Sequence, residues 1–243
     1  MYTEQNRGFT VITNFGCDCR CKYCITKHHP ILQNAVTDKN KIDWKYLEKC
    51  ISESNAPTVN LSGGGDPFYD WQNNIDFYNH VYELATKYGK KLDIHTRILP
   101  TDMNLIKKFR KIVLSIESYD TKAMEQLQAM LPEIEKTTKL RVINVLNERM
   151  STEDCLNYIN KMHNIGVNQI TFRQMFGNKN AYQNFLKIKD TINIPGVMFL
   201  PDGEYHHYYF TTNNKLYPYF FGYTENDRKV WMKKYEEIEQ YCG

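Results

Sequence analysis

Apolar residues fall along this chain in two alternating rhythms. Short runs rich in β-branched and aromatic residues predict strands at FTVITNF (9–15), TVNLS (58–62), LDIHTRI (92–98), KIVLSIE (111–117), LRVINVL (140–146) and QITFRQM (169–175). Between them lie windows with helical spacing. DWKYLEKCISES (43–54) carries Trp44, Leu47 and Ile51 on one side. The window 70–88 aligns Ile75, Tyr78, Val81, Tyr82 and Ala85, with Gly89 as its stop. A short helix is expected over 102–109 and another over 120–131, ended by Pro132. Ser151-Thr-Glu-Asp154 reads as a capping box opening a helix that reaches His163.

Strands alternating with helices imply right-handed crossovers and a parallel sheet. The predicted fold is α/β, a (β/α)6 partial barrel of parallel strands over residues 1–195. Residues 196–243 are read as an extension of the same domain. They offer a strand, a hairpin through Thr-Thr-Asn-Asn, and a helix over 225–241 with Val230, Trp231, Tyr235, Ile238 and Tyr241 on one side. In such a sheet the residues that carry chemistry belong at the carboxyl ends of the strands and in the loops after them.

Composition changes this picture little. Hydrophobic residues make up 42% and charged residues 24% of the 243, ordinary for a globular chain. No stretch is apolar enough to span a bilayer, and MYTEQNRGFT has no signal-peptide core, so a cytoplasmic protein without membrane contact is expected. A net charge of +3 does not indicate nucleic acid.

The cysteines change it most. Cys17, Cys21 and Cys24 are spaced C-x3-C-x2-C in the loop that follows the first strand. Three thiolates this close can hold three corners of an iron–sulfur cubane and leave one iron open, as a catalytic metal site requires. Cys19 lies between them, so four thiolates binding zinc is a second reading and a disulfide pair a third. Cys50, Cys155 and Cys242 are isolated and do not suggest a second cluster. At the end of the second strand stands Ser62-Gly63-Gly64-Gly65-Asp66-Pro67, where consecutive glycines let backbone approach a ligand and tolerate positive φ. Ser115 and Glu117 share one face of the fourth strand's end. Arg173, inside the sixth strand, would carry a charge into the core unless it points into the barrel toward an anion. Asn144 and Arg141 flank the fifth strand, with Arg141 expected at the surface.

The cysteine spacing, with Tyr23 before the third cysteine, and the Gly63–Pro67 run resemble the radical S-adenosylmethionine (SAM) superfamily over approximately residues 9–175. The stretch from Leu140 to Met175 and Ser115-Ile116-Glu117 resemble its molybdenum-cofactor GTP cyclase-like branch. The resemblance implies a [4Fe-4S] cluster on Cys17, Cys21 and Cys24, with Cys19 uninvolved. It implies SAM bound by Tyr23, Gly63, Gly64, Gly65, Asp66, Ser115, Glu117, Asn144 and Arg173. Asp66 stands where that family usually has Glu. One electron from a ferredoxin or flavodoxin would cleave SAM to a 5′-deoxyadenosyl radical. That radical would take hydrogen from a small-molecule or nucleotide substrate, faced by His95, Arg97, Glu204 and His206. A glycyl-radical enzyme activase and a peptide-modifying enzyme are alternatives within the superfamily. A non-catalytic iron–sulfur or zinc sensor lies outside it. His28 and His29, after the cysteine loop, are expected to be surface residues or hydrogen bonders.

Overall fold

The computed structural model describes residues 8–19, 21, 23–24, 26, 38–175, 178–201, 207–211, 214–217, 226 and 230. His28, His29, Glu204, His206, Cys242 and most of the expected helix 225–241 lie outside them. Among the described residues nine strands form one sheet: β1 Gly8–Thr13, β2 Thr58–Gly63, β3 Lys91–Thr96, β4 Lys111–Ser115, β5 Lys139–Leu146, β6 Ile170–Gln174, β7 Val197–Leu200, β8 His207–Thr211 and β9 Lys215–Tyr217. Among the described residues six α-helices with stated bounds accompany them: α1 Trp44–Glu53, α2 Ile75–Lys87, α3 Met103–Ile106, α4 Thr121–Ile134, α5 Thr152–Ile165 and α6 Lys179–Lys189.

The sheet order is β7-β6-β5-β4-β3-β2-β1-β8-β9, parallel throughout except for the final β8–β9 hairpin. Seven strand spacings separate β7 from β8, about 34 Å if the sheet were flat. Yet only seven residues of chain lead from Leu200 to His207, a reach of about 25 Å at most. The sheet must therefore curl. Its two sides are not paired with each other in the strand order, so the result is an α/β partial barrel.

Side-chain alternation sorts the residues of this curled sheet. Val59 and Leu61, Leu92 and Ile94, Ile112 and Leu114, Val142 and Leu146, and Ile170 and Phe172 face outward and form one core with the helices. The opposite, concave face carries Ser62, His95, Ser115 and Arg173.

Local chemistry explains most boundaries. Asp43, Asp102, Asp120, Ser151 and Asn178 each cap a helix with a side-chain oxygen on a first-turn amide. α2 starts later than expected, because a 3-10 turn, Trp71–Asn74, occupies the front of that window. The predicted stop at Pro132 is corrected: α4 runs through it to Ile134. A proline at that position leaves the Gln128 carbonyl without its helical donor, but both residues are on the exposed side, where water serves. Burial of Leu131 and Ile134 carries the helix on. The strands predicted to reach Phe15 and Ile98 stop at Thr13 and Thr96, where the site loops begin. Sequence reading also missed α6, although Ala181, Phe185 and Ile188 mark one apolar side.

Candidate functional site

A cavity of about 250 Å³ opens at the carboxyl ends of the strands. Cys17, Cys19, Cys21 and Cys24 line it from the loop after β1. Gly63, Gly65 and Asp66 line it from the loop after β2, and His95, Thr96 and Arg97 from the end of β3. Val113, Ser115, Ile143 and Val145 supply a mostly apolar wall, and Arg173 with Gln174 stands on β6.

The first two loops are built against each other. The Gly64 and Gly65 amides donate to the Thr13 carbonyl at 2.9 and 3.4 Å, and the Asp66 amide donates to the Gly16 carbonyl at 2.9 Å. A Cβ at Gly63 would lie 2.2 Å from the Gly65 carbonyl oxygen, and one at Gly65 would lie 2.4 Å from that of Gly16. Glycine is required there because backbone packs on backbone. Gly63 and Gly65 border the cavity, whereas Gly64 is buried beneath it.

Asp66 is 6% exposed, and its carboxylate is fully engaged. One oxygen accepts from the Phe68 amide at 2.8 Å and the Thr96 hydroxyl at 2.6 Å, and the other accepts from the Arg97 amide at 2.5 Å. Burial pushes the Asp66 carboxyl up from its ordinary value, against the pull of those hydrogen bonds.

Glu117 follows β4 and is 7% exposed. It accepts the Tyr23 hydroxyl and lies 3.6 Å from Arg97 Nη1. Arg97 Nη2 reaches Asp120 Oδ2 at 3.2 Å. Burial works against the Arg97 charge, but Cys19, Glu117 and Cys21 around it hold its pKa above the usual value. Burial likewise raises the Tyr23 phenol, with the Glu117 hydrogen bond adding to it.

The cysteines present four thiols to one space. All are free, as are the buried Cys50 and Cys155, so the disulfide reading fails among the described residues. Burial pushes the Cys19 thiol up to about 12 with Arg97 opposing, and raises Cys17 too. Among the described residues no three His, Cys, Asp or Glu side chains close on one point as they would around a single ion.

Thus Cys17, Cys21, Cys24, Tyr23, Gly63, Gly65, Asp66, Ser115, Arg173, His95 and Arg97 all border one cavity. Three expected cofactor contacts do not line it: Gly64 is buried, and Glu117 and Asn144 are placed elsewhere. Glu117 stands behind Tyr23 and Arg97. Asn144 is 1% exposed on the outward side of β5, donating to the Ile116 carbonyl at 3.1 Å. Strict alternation would send Thr96 and Gln174 outward, yet both border the cavity, because the strands end there. Asp120 was missed as an Arg97 partner. Its only sequence signal is the helix cap, which the structure also shows.

No family model matches the sequence. L-lysine 2,3-aminomutase from Escherichia coli strain K12 is 26% identical over 98 residues, which is 40% of this chain and 27% of that protein. The chain therefore aligns with about a quarter of the length of that curated relative. Among solved structures, thiamine phosphate pyrophosphorylase from Pyrococcus furiosus matches at TM-score 0.38 and 9% identity, covering 97% of this chain and 98% of that one. The YdjI aldolase from Escherichia coli K12 matches at TM-score 0.39 and 12% identity, covering 81% and 66%. The partial barrel is therefore read from strand order and chain length.

Proposed function

We propose that the protein is a radical SAM enzyme. The observation that carries this reading is convergence: the C-x3-C-x2-C loop, the glycine-rich loop and Arg173 meet at one cavity over the carboxyl ends of a curled parallel sheet. The partial match to L-lysine 2,3-aminomutase, itself of the radical SAM kind, points the same way.

The residues suit the cofactors. The C-x3-C-x2-C spacing of Cys17, Cys21 and Cys24, all at the cavity, suits three corners of a [4Fe-4S] cluster with one iron left open. When bound, the cluster supplies the electron that cleaves SAM to methionine and the 5′-deoxyadenosyl radical. The chain's own part is to bind, orient and seclude. The edges of Gly63 and Gly65 offer close backbone approach, and Asp66 stiffens that loop from below. Val113, Ile143 and Val145 make a dry wall that keeps competing hydrogen donors away. Arg173, Gln174 and His95 suit a small molecule or nucleotide bearing a carboxylate or phosphate. The electron would come from a ferredoxin or flavodoxin, and the tail after residue 195 would help to shape the substrate pocket.

The test is anaerobic reconstitution with iron and sulfide, reduction with dithionite, and chromatography for 5′-deoxyadenosine. Slow formation of the nucleoside without added substrate is expected. Cys17→Ala, Cys21→Ala and Cys24→Ala should abolish it, while Cys19→Ala keeps the cluster chromophore. A protein that takes up zinc and no iron, and does not bind SAM, would instead be a sensor module.

A further inference from the structure

We propose that Glu117, backed by Arg97, is a positioning residue for the cysteine loop and acts through Tyr23. This rests on the reading above that the loop holds the metal, but the tether can be tested without metal. Tyr23 sits in the turn that the Cys24 amide closes on the Cys21 carbonyl at 3.3 Å. Its hydroxyl leaves that turn and crosses 94 positions of sequence to the Glu117 carboxylate. Glu117 is held in turn by Arg97, and Arg97 by Asp120. Asp120 is itself fixed: its side chain caps α4 through the Ala123 amide at 3.2 Å, and its own amide donates to the Glu117 carbonyl at 3.0 Å. A rigid helix end therefore reaches the cysteine turn through a guanidinium, a carboxylate and a phenol. Closer to Cys17 the loop is held differently, by the Asp66 amide on the Gly16 carbonyl at 2.9 Å and by the Cys19 amide on Cys17 Sγ at 3.4 Å.

The chemistry of each member fits a tether. A carboxylate can accept the phenol on one oxygen and still face a guanidinium. Arg97 donates to Asp120 at 3.2 Å and is ion-paired with Glu117 at 3.6 Å, so the guanidinium is oriented from two sides. The tether fixes the half of the loop that carries Cys21 and Cys24.

The experiment measures alkylation of individual cysteines in the iron-free, full-length chain by mass spectrometry. Glu117→Ala and Tyr23→Phe should each speed modification of Cys21 and Cys24 by at least about tenfold, the factor that about 1.4 kcal/mol of lost charge-assisted hydrogen bonding gives. The double variant should be no faster than either single one, because both break the same link. Glu117→Gln, which keeps an acceptor for the phenol, should restore most of the protection. Cys155, which is fully buried, should stay protected throughout. Unchanged rates at Cys21 and Cys24, additive effects, or a parallel rise at Cys155 would each overturn the proposal. Tyr23→Phe keeps its ring and disturbs folding least, so it decides the matter if Glu117→Ala proves insoluble. Failure here with SAM cleavage intact would remove the tether and leave the enzyme.

Discussion

Asp66 accepts from three groups that lie on two different strand ends, and its side-chain length is what permits this. Its bond to the Phe68 amide, two residues on, is an Asx turn, a geometry that a carboxylate one methylene longer does not reproduce. The same carboxylate takes the Thr96 hydroxyl and the Arg97 amide, which joins the glycine-rich loop to β3. Resemblance would suggest that Asp66→Glu restores a family residue. The geometry predicts the opposite. Glutamate should leave a buried amide or hydroxyl without its acceptor, costing about 1–3 kcal/mol. A lower urea midpoint at unchanged slope would check this, and, on the proposed function, calorimetry should show weaker SAM binding as the loop loosens. Equal stability in Asp66→Glu would mean that the pocket has room for the longer acid. Residue identities at the site were legible because cysteine, glycine and arginine carry their chemistry in their type. Partners such as Thr96 and Asp120 were not, since nothing local marks a residue whose role depends on distant chain.

The start of α5 was the most legible helix boundary, because a capping box is a contact between near neighbours. The Ser151–Asp154 box forms as its sequence predicts, with the Asp154 amide on Ser151 Oγ at 3.0 Å and the Ser151 amide on the Asp154 carboxylate at 2.8 Å. The Ser151 amide, then its hydroxyl, holds the Asp154 carboxyl below its ordinary 3.8. A carboxyl lowered by folding binds fewer protons when folded, so its support is present above the ordinary value and is lost as pH falls through the lowered one. The start of α5 should therefore fray below about pH 4, read as faster amide exchange at 152–155. Ser151→Ala should cost about 0.5–2 kcal/mol at neutral pH. Exchange that does not respond to pH would show that tertiary contacts alone hold this end. Proline misled at the other extreme. Its rule concerns the local ladder, and at Pro132 the burial of Leu131 and Ile134 outweighs it.

At the scale of the whole molecule, alternation of strands and helices was enough to give a parallel sheet, but not its edges. Nothing in HYYF says that β8 will lie parallel beside β1, with Phe9 opposite Tyr208 and Val11 opposite Phe210. That pairing depends on which strand is left without a neighbour once the others have formed. It has a consequence for the site, because β1 leads directly into the cysteine loop. Phe210 is fully buried in the main core, with its ring 5.9 Å from Tyr46. Asn214 clasps the start of α1, accepting from the Asp43 amide at 2.7 Å and donating to the Lys41 carbonyl at 2.8 Å. If this edge were a loose appendage, Phe210→Ala would fray it and leave the rest alone. If it is part of one cooperative unit, the variant should lose about 3–5 kcal/mol, the usual cost of emptying a buried phenylalanine site. That is a large share of the about 5–15 kcal/mol that holds a typical domain together. Urea unfolding followed by far-ultraviolet circular dichroism and by tryptophan fluorescence should then shift together to one lower midpoint. Limited proteolysis under native conditions supplies the contrast. Trimming after Leu200 with the midpoint unchanged would separate β8 and β9 from the core, whereas the parallel pairing along β1 requires the edge and the cysteine loop to be lost in one step.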